Sequence, residues 1–299
     1  MIDMKDMSKN AIFPPKRIAA IHDLSCFGRC ALTVVIPALS SMGYQVIPVP
    51  TAMLSSHTGG FDDMHFEDLT DFMNKTAEHF DRLDIKFDAI YTGFLGSEEQ
   101  IDVVLNFIKR FSSKDTLIFV DPVMGDDGVL YSTYNDILRE RMKELCSVAH
   151  VITPNLTEAC FLSDTPYRDT SDMTEEEAFA FANDMRVKLS ALGGAKTVIT
   201  GIPHKGGMFG TYSHTEDSHS NGYMYSVERV RRSYPGTGDL FASVLLGCML
   251  QGDELSSAIR FASDYIRNVM SYSANFDTPE REGVAFEPLL GELVGHKRS

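Results

Sequence analysis

Residues 233–244 read SYPGTGDLFASV, and the turn inside this segment could bind a phosphate group. Gly236 and Gly238 carry no side chain, so backbone N–H groups near them and near Thr237 can come close to a ligand. The apolar run that follows predicts a helix over about 238–251, whose N-terminus adds partial positive charge. The segment therefore predicts an anion hole.

Asp239 would lie in the first turn of that helix, beside the anion hole. A buried carboxylate is costly unless the protein uses it. One interpretation is a general base that takes the proton from a hydroxyl group attacking a phosphoryl group. The other is an N-cap that only satisfies free N–H groups of a buried helix. The segment alone leaves both open.

Further oxygen donors occur in two other segments. DPVMGDDG holds Asp121, Asp126 and Asp127, and TPNLTEA holds Asn155 and Glu158. Hard donors of this kind suit Mg²⁺, which proteins usually hold through water and substrate phosphates. The alternatives are an ordinary D-D-G turn for the first segment and a helix cap for the second. The chain has no G-x-x-x-x-G-K-[ST] sequence, which disfavours a Walker-type NTPase.

Short β-branched runs alternate with helical patterns, which predicts βαβ units and a mainly parallel sheet. The predicted strands are residues 17–23, 44–51, 87–94, 115–123, 149–155 and 195–201. The predicted helices are residues 65–80, 97–111, 135–146, 174–192, 238–251 and 254–272. GGMFGTYS and GYMYSVERV flank the polar stretch TEDSHSN, which predicts an antiparallel hairpin at the sheet edge. We predict a loose tail over residues 1–16 and one domain over residues 17–299.

Ligands of such a sheet bind outside the carboxyl ends of its strands. The unusual polar residues and glycines follow the predicted strands at these ends: Asp23, His57, Thr58, Gly59, Thr92, Gly93, Asp121, Asp126, Asn155, Glu158, Thr200 and Gly201. We therefore expect them to form one site along this edge of the sheet.

Composition restricts the partners. The chain has 299 residues with 43% hydrophobic content, enough for a large core. With 27 Lys and Arg against 42 Asp and Glu, the net charge of −15 disfavours nucleic acid and anionic membranes. No apolar run reaches the length of a membrane span, and the first residues carry charges where a signal peptide is apolar. Five scattered cysteines without a C-x-x-C pair indicate a reducing compartment, so we expect a cytoplasmic location.

SYPGTGDLFASVL, VDPVMGDDGVLY, ITPNLTEA, VITG and SSHTGG together resemble the ribokinase-like superfamily and, within it, the pyridoxal (vitamin B6) kinase family. The resemblance extends over roughly residues 17–273, with the motifs in the expected order. It implies a three-layer α/β/α sandwich that uses ATP and Mg²⁺ to phosphorylate the 5′-hydroxymethyl group of pyridoxal, pyridoxine or pyridoxamine. It also implies a homodimer, and it leaves open a need for a monovalent cation such as K⁺.

The resemblance implies roles for single residues. Asp239 would be the catalytic base, and Asp121 and Glu158 would organise Mg²⁺ and its waters. It places Gly236, Thr237 and Gly238 in the anion hole around the transferred phosphoryl group, and Thr153 and Asn155 near the phosphates of ATP.

The remaining implied roles concern the two substrates. Nucleotide contacts are implied for Asp126, Tyr131, Thr200 and Gly201. His57, Thr58 and Phe94 would lie near the vitamin ring, while the bland alternative for His57 is loop packing.

Asp23 departs from the vitamin B6 kinase pattern. Those kinases commonly carry serine at this position, whereas the related hydroxymethylpyrimidine kinases carry aspartate followed by a Gly-rich segment that CFGRCALT lacks. When ionised, Asp23 accepts but cannot donate hydrogen bonds, which favours ligands with an amine or a protonated ring nitrogen. Alternatively, Asp23 caps the helix predicted to begin near Ala31 or bonds loop N–H groups.

Three hypotheses follow from the sequence. The first is a vitamin B6 kinase, and the second is a kinase of hydroxymethylpyrimidine. The third is a nucleotide- or vitamin-binding protein without turnover, which the intact G-T-G-D sequence argues against.

Overall fold

The computed structural model describes residues 14–214 and 222–296, in which a nine-stranded sheet lies between two layers of helices. Its strands are β1 (Arg17–Ser25), β2 (Gln45–Leu54), β3 (Phe66–Asp68), β4 (Ala89–Thr92), β5 (Leu117–Val120), β8 (Val151–Ile152), β9 (Lys196–His204), β10 (Met208–Ser213) and β11 (Tyr223–Glu228). A separate hairpin consists of β6 (Gly125–Asp126) and β7 (Val129–Leu130). The sheet order is β11-β10-β9-β8-β5-β4-β1-β2-β3.

The centre of the sheet, from β9 to β2, is parallel, whereas β3, β10 and β11 are antiparallel to their neighbours. The mainly parallel sheet and the antiparallel edge hairpin are therefore confirmed. Residues 1–13 of the predicted tail and residues 215–221 of the predicted hairpin loop lie outside the described residues.

The helices pack on both faces of the sheet. They are α1 (Leu32–Ser41), α2 (Thr70–Arg82), α3 (Glu98–Phe111), α4 (Asp136–Ser147), α5 (Leu156–Leu162), α6 (Glu175–Gly193), α7 (Thr237–Gln251), α8 (Leu255–Ser273) and α9 (Leu290–Val294). One core joins the sheet to α2 through α6, and the other joins it to α1, α7, α8 and α9. This arrangement confirms the predicted three-layer α/β/α sandwich. None of the described helices is long and apolar enough to cross a membrane.

The parallel ladder places the strand ends side by side. The backbone N–H of Gly93 donates to the carbonyl of Ile21 (3.0 Å), and that of Asp121 donates to the carbonyl of Thr92 (2.9 Å). The N–H of Thr153 continues the ladder to the carbonyl of Val120 (3.1 Å). Residues that follow β1, β4, β5 and β8 therefore form one continuous row, as the strand-end argument predicts.

One local prediction needs correction, and a second is completed by the structure. The helix predicted over 65–80 begins only at Thr70, because residues 66–68 form edge strand β3 and Asp68 accepts the N–H of Thr70 (2.8 Å). The helix predicted to begin near Ala31 was given no end; α1 begins at Leu32 and continues through Pro37 to Ser41, with one face buried in the core. Burial there outweighs the low helix propensity of proline and the β-branched residues.

Candidate active site

Helix α7 brings Asp239 to the row of strand ends. Gly236, in the left-handed conformation (φ 77°), precedes the helix, and Asp239 lies in its first turn. The Asp239 side chain makes no capping hydrogen bond to α7; its Oδ2 accepts the N–H of Ala31 (2.8 Å), directly before α1. The N-cap alternative is therefore wrong. The carboxylate instead links the starts of two helices.

The two glycines of the G-T-G-D turn have different roles in the fold. A Cβ on Gly236 would overlap the carbonyl oxygen of Arg29, so the chain itself requires glycine there. A Cβ on Gly238 would meet no protein atom within 4 Å. The hydroxyl of Thr237 donates to the carbonyl of Tyr234 (3.1 Å). Only Gly238 therefore keeps a surface open for a ligand, as the predicted anion hole needs.

Asp23, Asp121 and Asp239 form a carboxylate cluster. Burial, together with the charge of Asp239, raises the pKa of Asp23 to about 7 and holds that of Asp121 well above its ordinary value. Burial alone raises the pKa of Asp239 to about 6. Burying these carboxylates costs free energy, which hydrogen bonds from hydroxyl groups partly offset. Ser25 Oγ donates to Asp23 Oδ2 (2.9 Å), and Thr153 Oγ1 donates to Asp121 Oδ1 (3.0 Å). Like charges collected in a buried site favour a cationic ligand.

The carboxylate cluster predicts how stability depends on pH. A carboxyl group whose pKa is raised in the folded state contributes stability at pH below its unfolded pKa, and that contribution is lost as pH rises through the folded pKa. We expect Asp121→Asn to stabilise the ligand-free protein against the parent by about 1 to 3 kcal/mol more at pH 8 than at pH 5. Urea unfolding at the two pH values measures this difference.

Asp115→Asn is the matched control because Asp115 is exposed. It should change stability by the same small amount at both pH values. An Asp121→Asn effect that does not grow with pH would contradict the raised pKa.

Asn155 and Glu158 form a capping box at the start of α5, as the alternative interpretation predicted. Glu158 Oε2 accepts the N–H of Asn155 (2.8 Å) and Glu158 Oε1 accepts that of Met124 (3.0 Å). Asp121 differs, because only its Oδ1 is bonded in the described part of the chain. The donor set thus suits Mg²⁺ through the free carboxylate oxygen of Asp121, whereas both oxygens of Glu158 already accept a backbone N–H, which favours contact through water.

The loop predicted to cover the nucleotide is the β6–β7 hairpin. Asp126 and Asp127 occupy its turn, so the D-D-G turn alternative is correct. The Asn155 side chain donates to the carbonyl of Gly125 (2.8 Å), and Asn155 also pairs with Thr200 at the end of the neighbouring ladder.

Tyr131 and Gly201 were also predicted to contact the nucleotide, and they follow the β6–β7 hairpin and Thr200, respectively. The N–H of Tyr131 donates to the carbonyl of Met124 (2.9 Å), and the Tyr131 side chain packs against the core. Gly201 is exposed, in the left-handed conformation (φ 64°). The hairpin and the start of α5 are therefore brought together, while contacts with a nucleotide stay a prediction.

His57 is held by the backbone. Its Nδ1 accepts the N–H of Gly59 (3.1 Å), and its Nε2 bonds the carbonyl of Arg281 (2.6 Å), which assigns the Nε2–H tautomer. These bonds support the loop-packing alternative. Thr58 is partly exposed beside it, and Phe94 is buried against Tyr134 (ring centroids 6.0 Å apart), so their roles at the vitamin ring stay predictions.

Asp23 does not cap α1. Helix α1 has no side-chain cap, and the N–H of Ala31 is taken by Asp239. The helix-capping alternative for Asp23 is therefore wrong.

Two features of the site were not predicted. His22 is fully buried next to Asp23, with Nδ1 3.9 Å from Asp239 Oδ1. In the sequence it reads as one core position of an apolar strand, which gives no signal of this proximity. A cavity of about 290 Å³ also lies between the end of β11 and α8, and it is lined by Glu228, Arg229, Val230, Arg267, Ser271 and Ala274.

Comparison with known proteins identifies the family. The family model described as phosphomethylpyrimidine kinase matches residues 36–282. A Bacteroides thetaiotaomicron protein assigned as a phosphomethylpyrimidine kinase, crystallised with pyridoxal, is 41% identical with a TM-score of 0.86, covering 93% of this chain and 96% of that one.

Two further relatives are pyridoxal kinases by name. The pyridoxal kinase of Lactobacillus plantarum is 29% identical with a TM-score of 0.84, covering 93% of this chain and 96% of that one. A pyridoxine/pyridoxal/pyridoxamine kinase of Bordetella avium is 29% identical over 289 residues, covering 93% of this chain and 92% of the relative. The chain therefore belongs to the phosphomethylpyrimidine kinase family, which confirms its predicted place among the pyridoxal kinases of the ribokinase-like superfamily.

Proposed function

We propose that the protein transfers the γ-phosphoryl group of ATP to the 5′-hydroxymethyl group of pyridoxal, pyridoxine or pyridoxamine. Asp239 takes the hydroxyl proton, the substrate oxygen forms a bond to the γ-phosphorus, and the bond from that phosphorus to the β–γ bridging oxygen breaks. ADP leaves with the electron pair of that bond. The observation that carries the proposal is the position of Asp239, beside the open surface of Gly238 and facing Asp23 and Asp121.

Mg²⁺ belongs to the same proposal. When bound, it supplies positive charge that neutralises the phosphates in an acidic site. Asp121 would hold it through a carboxylate oxygen, and Glu158 would hold one of its waters. Asp126 and Tyr131 of the hairpin, with Thr153, Thr200 and Gly201, would contact the nucleotide.

The cavity between β11 and α8 is proposed to take the nucleotide base. Val230 lies on its wall and is followed by the short segment that leads to Gly236, so a nucleotide could extend from the cavity to the anion hole. Arg229 and Arg267 outnumber Glu228 in this lining, which gives it net positive charge in an otherwise acidic protein. The homodimer remains a proposal on the basis of the family resemblance, and the cytoplasmic location remains one on the basis of the scattered cysteines. The need for a monovalent cation remains open.

ADP release tests the function. The purified protein should consume ATP with each of pyridoxal, pyridoxine and pyridoxamine, and mass spectrometry should find the monophosphate. Asp239→Asn protein from a parallel preparation controls for contaminating kinases. If the parent protein consumes no ATP with any vitamer, at concentrations where ATP binds, the proposal is wrong.

The second candidate function is phosphorylation of hydroxymethylpyrimidine. Asp23 favours it, because the sequence resemblance associates aspartate at this position with those kinases, and the matching family model carries the phosphomethylpyrimidine kinase description. Turnover of hydroxymethylpyrimidine, with kcat/KM above that for every B6 vitamer in the same assay, would select this candidate.

Asp23 should set the preference among the acceptors. Because its pKa is raised to about 7, it is ionised only above that pH, where it can accept but not donate hydrogen bonds. We expect kcat/KM for pyridoxamine relative to pyridoxal to rise as pH increases through about 7. Asp23→Ser should remove this rise and selectively weaken the amine-bearing acceptors by about 1 to 3 kcal/mol.

Ser25→Ala is the matched control, because it removes only the hydroxyl group that donates to Asp23. It should keep the preference for the amine but move the rise to higher pH, because the hydrogen bond from Ser25 lowers the pKa of Asp23. An equal loss across pyridoxal, pyridoxine, pyridoxamine and hydroxymethylpyrimidine in Asp23→Ser would instead give Asp23 a structural role.

A further inference from the structure

His22 is a buried polar side chain without a partner. It lies near the end of β1 at 0% exposure, and neither ring nitrogen has a hydrogen bond within the described part of the chain. Buried polar groups are nearly always hydrogen-bonded, because an unpaired one loses its hydration without compensation. The His22 ring therefore needs an explanation beyond packing.

The surroundings hold the ring against Asp239. Tyr91 contacts it edge to face, with ring centroids 4.3 Å apart. Gly93 lies directly after β4, the strand that pairs with β1 here, and a Cβ at Gly93 would overlap Nδ1 of His22. In this position Nδ1 is 3.9 Å from Oδ1 of Asp239, while Oδ2 of Asp239 is fixed by Ala31. The Asp239 carboxylate is thus hydrogen-bonded through Oδ2 and has the His22 ring beside Oδ1.

The ring can act as a donor in its neutral form. Burial lowers the pKa of His22 to about 3, so the ring is uncharged near neutral pH. Neutral imidazole carries one N–H, and a neighbouring carboxylate favours its presence on the nitrogen that faces it. Each carboxylate oxygen has two lone pairs, so a bond from His22 leaves Asp239 able to accept a proton.

We propose that His22 is a positioning residue for the base, donating Nδ1–H to Oδ1 of Asp239 once both substrates are bound. This rests on the proposed kinase function. Catalytic hydrogen bonds are often long before substrates bind and shorten in the complex, so a separation of 3.9 Å agrees with this role. The bond would fix the rotamer of the carboxylate and favour its ionised form.

Other titratable groups also face Asp239. They are Asp23 on β1, Cys30 in the loop before α1, Tyr91 on β4, Asp121 after β5 and Tyr131 after β7. None of these groups is a lysine or an arginine, and all of them are acids. The neutral N–H of His22 can therefore stabilise the ionised base without adding another acidic group.

Three substitutions separate a donor role from packing. The Asn side-chain nitrogen is bonded to Cγ, as Nδ1 is, whereas that of Gln lies one bond further, near the place of Nε2. We expect His22→Asn to keep kcat within about threefold of the parent, while His22→Gln and His22→Leu lower it about tenfold with KM for ATP unchanged. The acidic limb of the kcat profile should move to higher pH in His22→Gln and His22→Leu, because the ionised carboxylate loses its donor.

The stability of His22→Leu also distinguishes a positioning role from a structural role. His22→Leu removes an unpaired polar group from the core, so its urea midpoint should equal or exceed that of the parent. A structural residue would show the reverse, with lower stability and no shift of the pH profile. Equal kcat values in all three variants, or equal losses in His22→Asn and His22→Leu, would overturn the proposal.

A readout without turnover separates this inference from the proposed function. ¹⁵N NMR of histidine-labelled protein, saturated with ADP and pyridoxal, should assign the Nδ1–H tautomer to His22, and Asp239→Ala should change the Nδ1 shift. If no vitamer is phosphorylated but this coupling is present, the function fails and the positioning contact stands. An Nε2–H ring that is insensitive to Asp239→Ala would reject the contact whatever the activity.

Discussion

Replacing Asp239 by Asn should lower kcat by about 10² or more while ATP still binds. The substitution keeps the shape of the side chain and an oxygen that can accept the N–H of Ala31, so the link between α7 and the start of α1 survives. It removes only the ability to take a proton from the attacking hydroxyl group. Steady-state kinetics and calorimetric titration with ATP measure the two quantities.

The pH profile of the parent enzyme tests the same role. The base must be ionised, and burial raises its pKa to about 6, so kcat should fall as pH decreases below about 6. Asp71→Asn is the matched control, since Asp71 lies in the first turn of α2 and is exposed. It should leave kcat unchanged. Near-normal turnover of Asp239→Asn would exclude Asp239 as the base.

Much of the fold could be predicted from the sequence because each parallel strand contains a short buried run of apolar or β-branched residues. Short elements could not be predicted in this way. Strand β3 has three residues, so its conformation depends on its pairing with β2. The start of α1 was predicted, but its continuation through Pro37 depends on the burial of its core face. Regular pairing of β8 covers only Val151–Ile152, because Pro154 has no N–H to continue the ladder.

The site was predictable to the extent that it follows strand ends. Thr92, Gly93 and Asp121 were placed correctly by that rule, since the ladder sets their neighbours. Contacts between distant segments were not predictable. The Asp239–Ala31 bond joins residues 208 positions apart, and the partners of His57 include Arg281, 224 positions away. Sequence spacing carries no information about such contacts.

The glycines of the G-T-G-D turn yield the second large effect. Gly236→Ala should lower both stability and turnover, because the new Cβ overlaps the backbone of Arg29 and the residue is left-handed. Relieving the overlap with Arg29 would shift the start of α7, and Asp239 would shift with it. We expect a clear loss of the urea midpoint and a fall in kcat of about 10² or more.

Gly238→Ala should separate ligand binding from folding. Its Cβ meets no protein atom within 4 Å, and alanine is the better helix former, so stability should rise by up to about 1 kcal/mol. If the transferred phosphoryl group lies against this residue, the same methyl group blocks its approach, and kcat/KM for ATP should fall about tenfold or more. Gly291→Ala in α9 is the matched control, since it is also a helical glycine with open space around it. It should keep full activity. Full activity in Gly238→Ala as well would mean that the phosphoryl group does not bind at this turn, because nothing in the protein itself would then require glycine at that position.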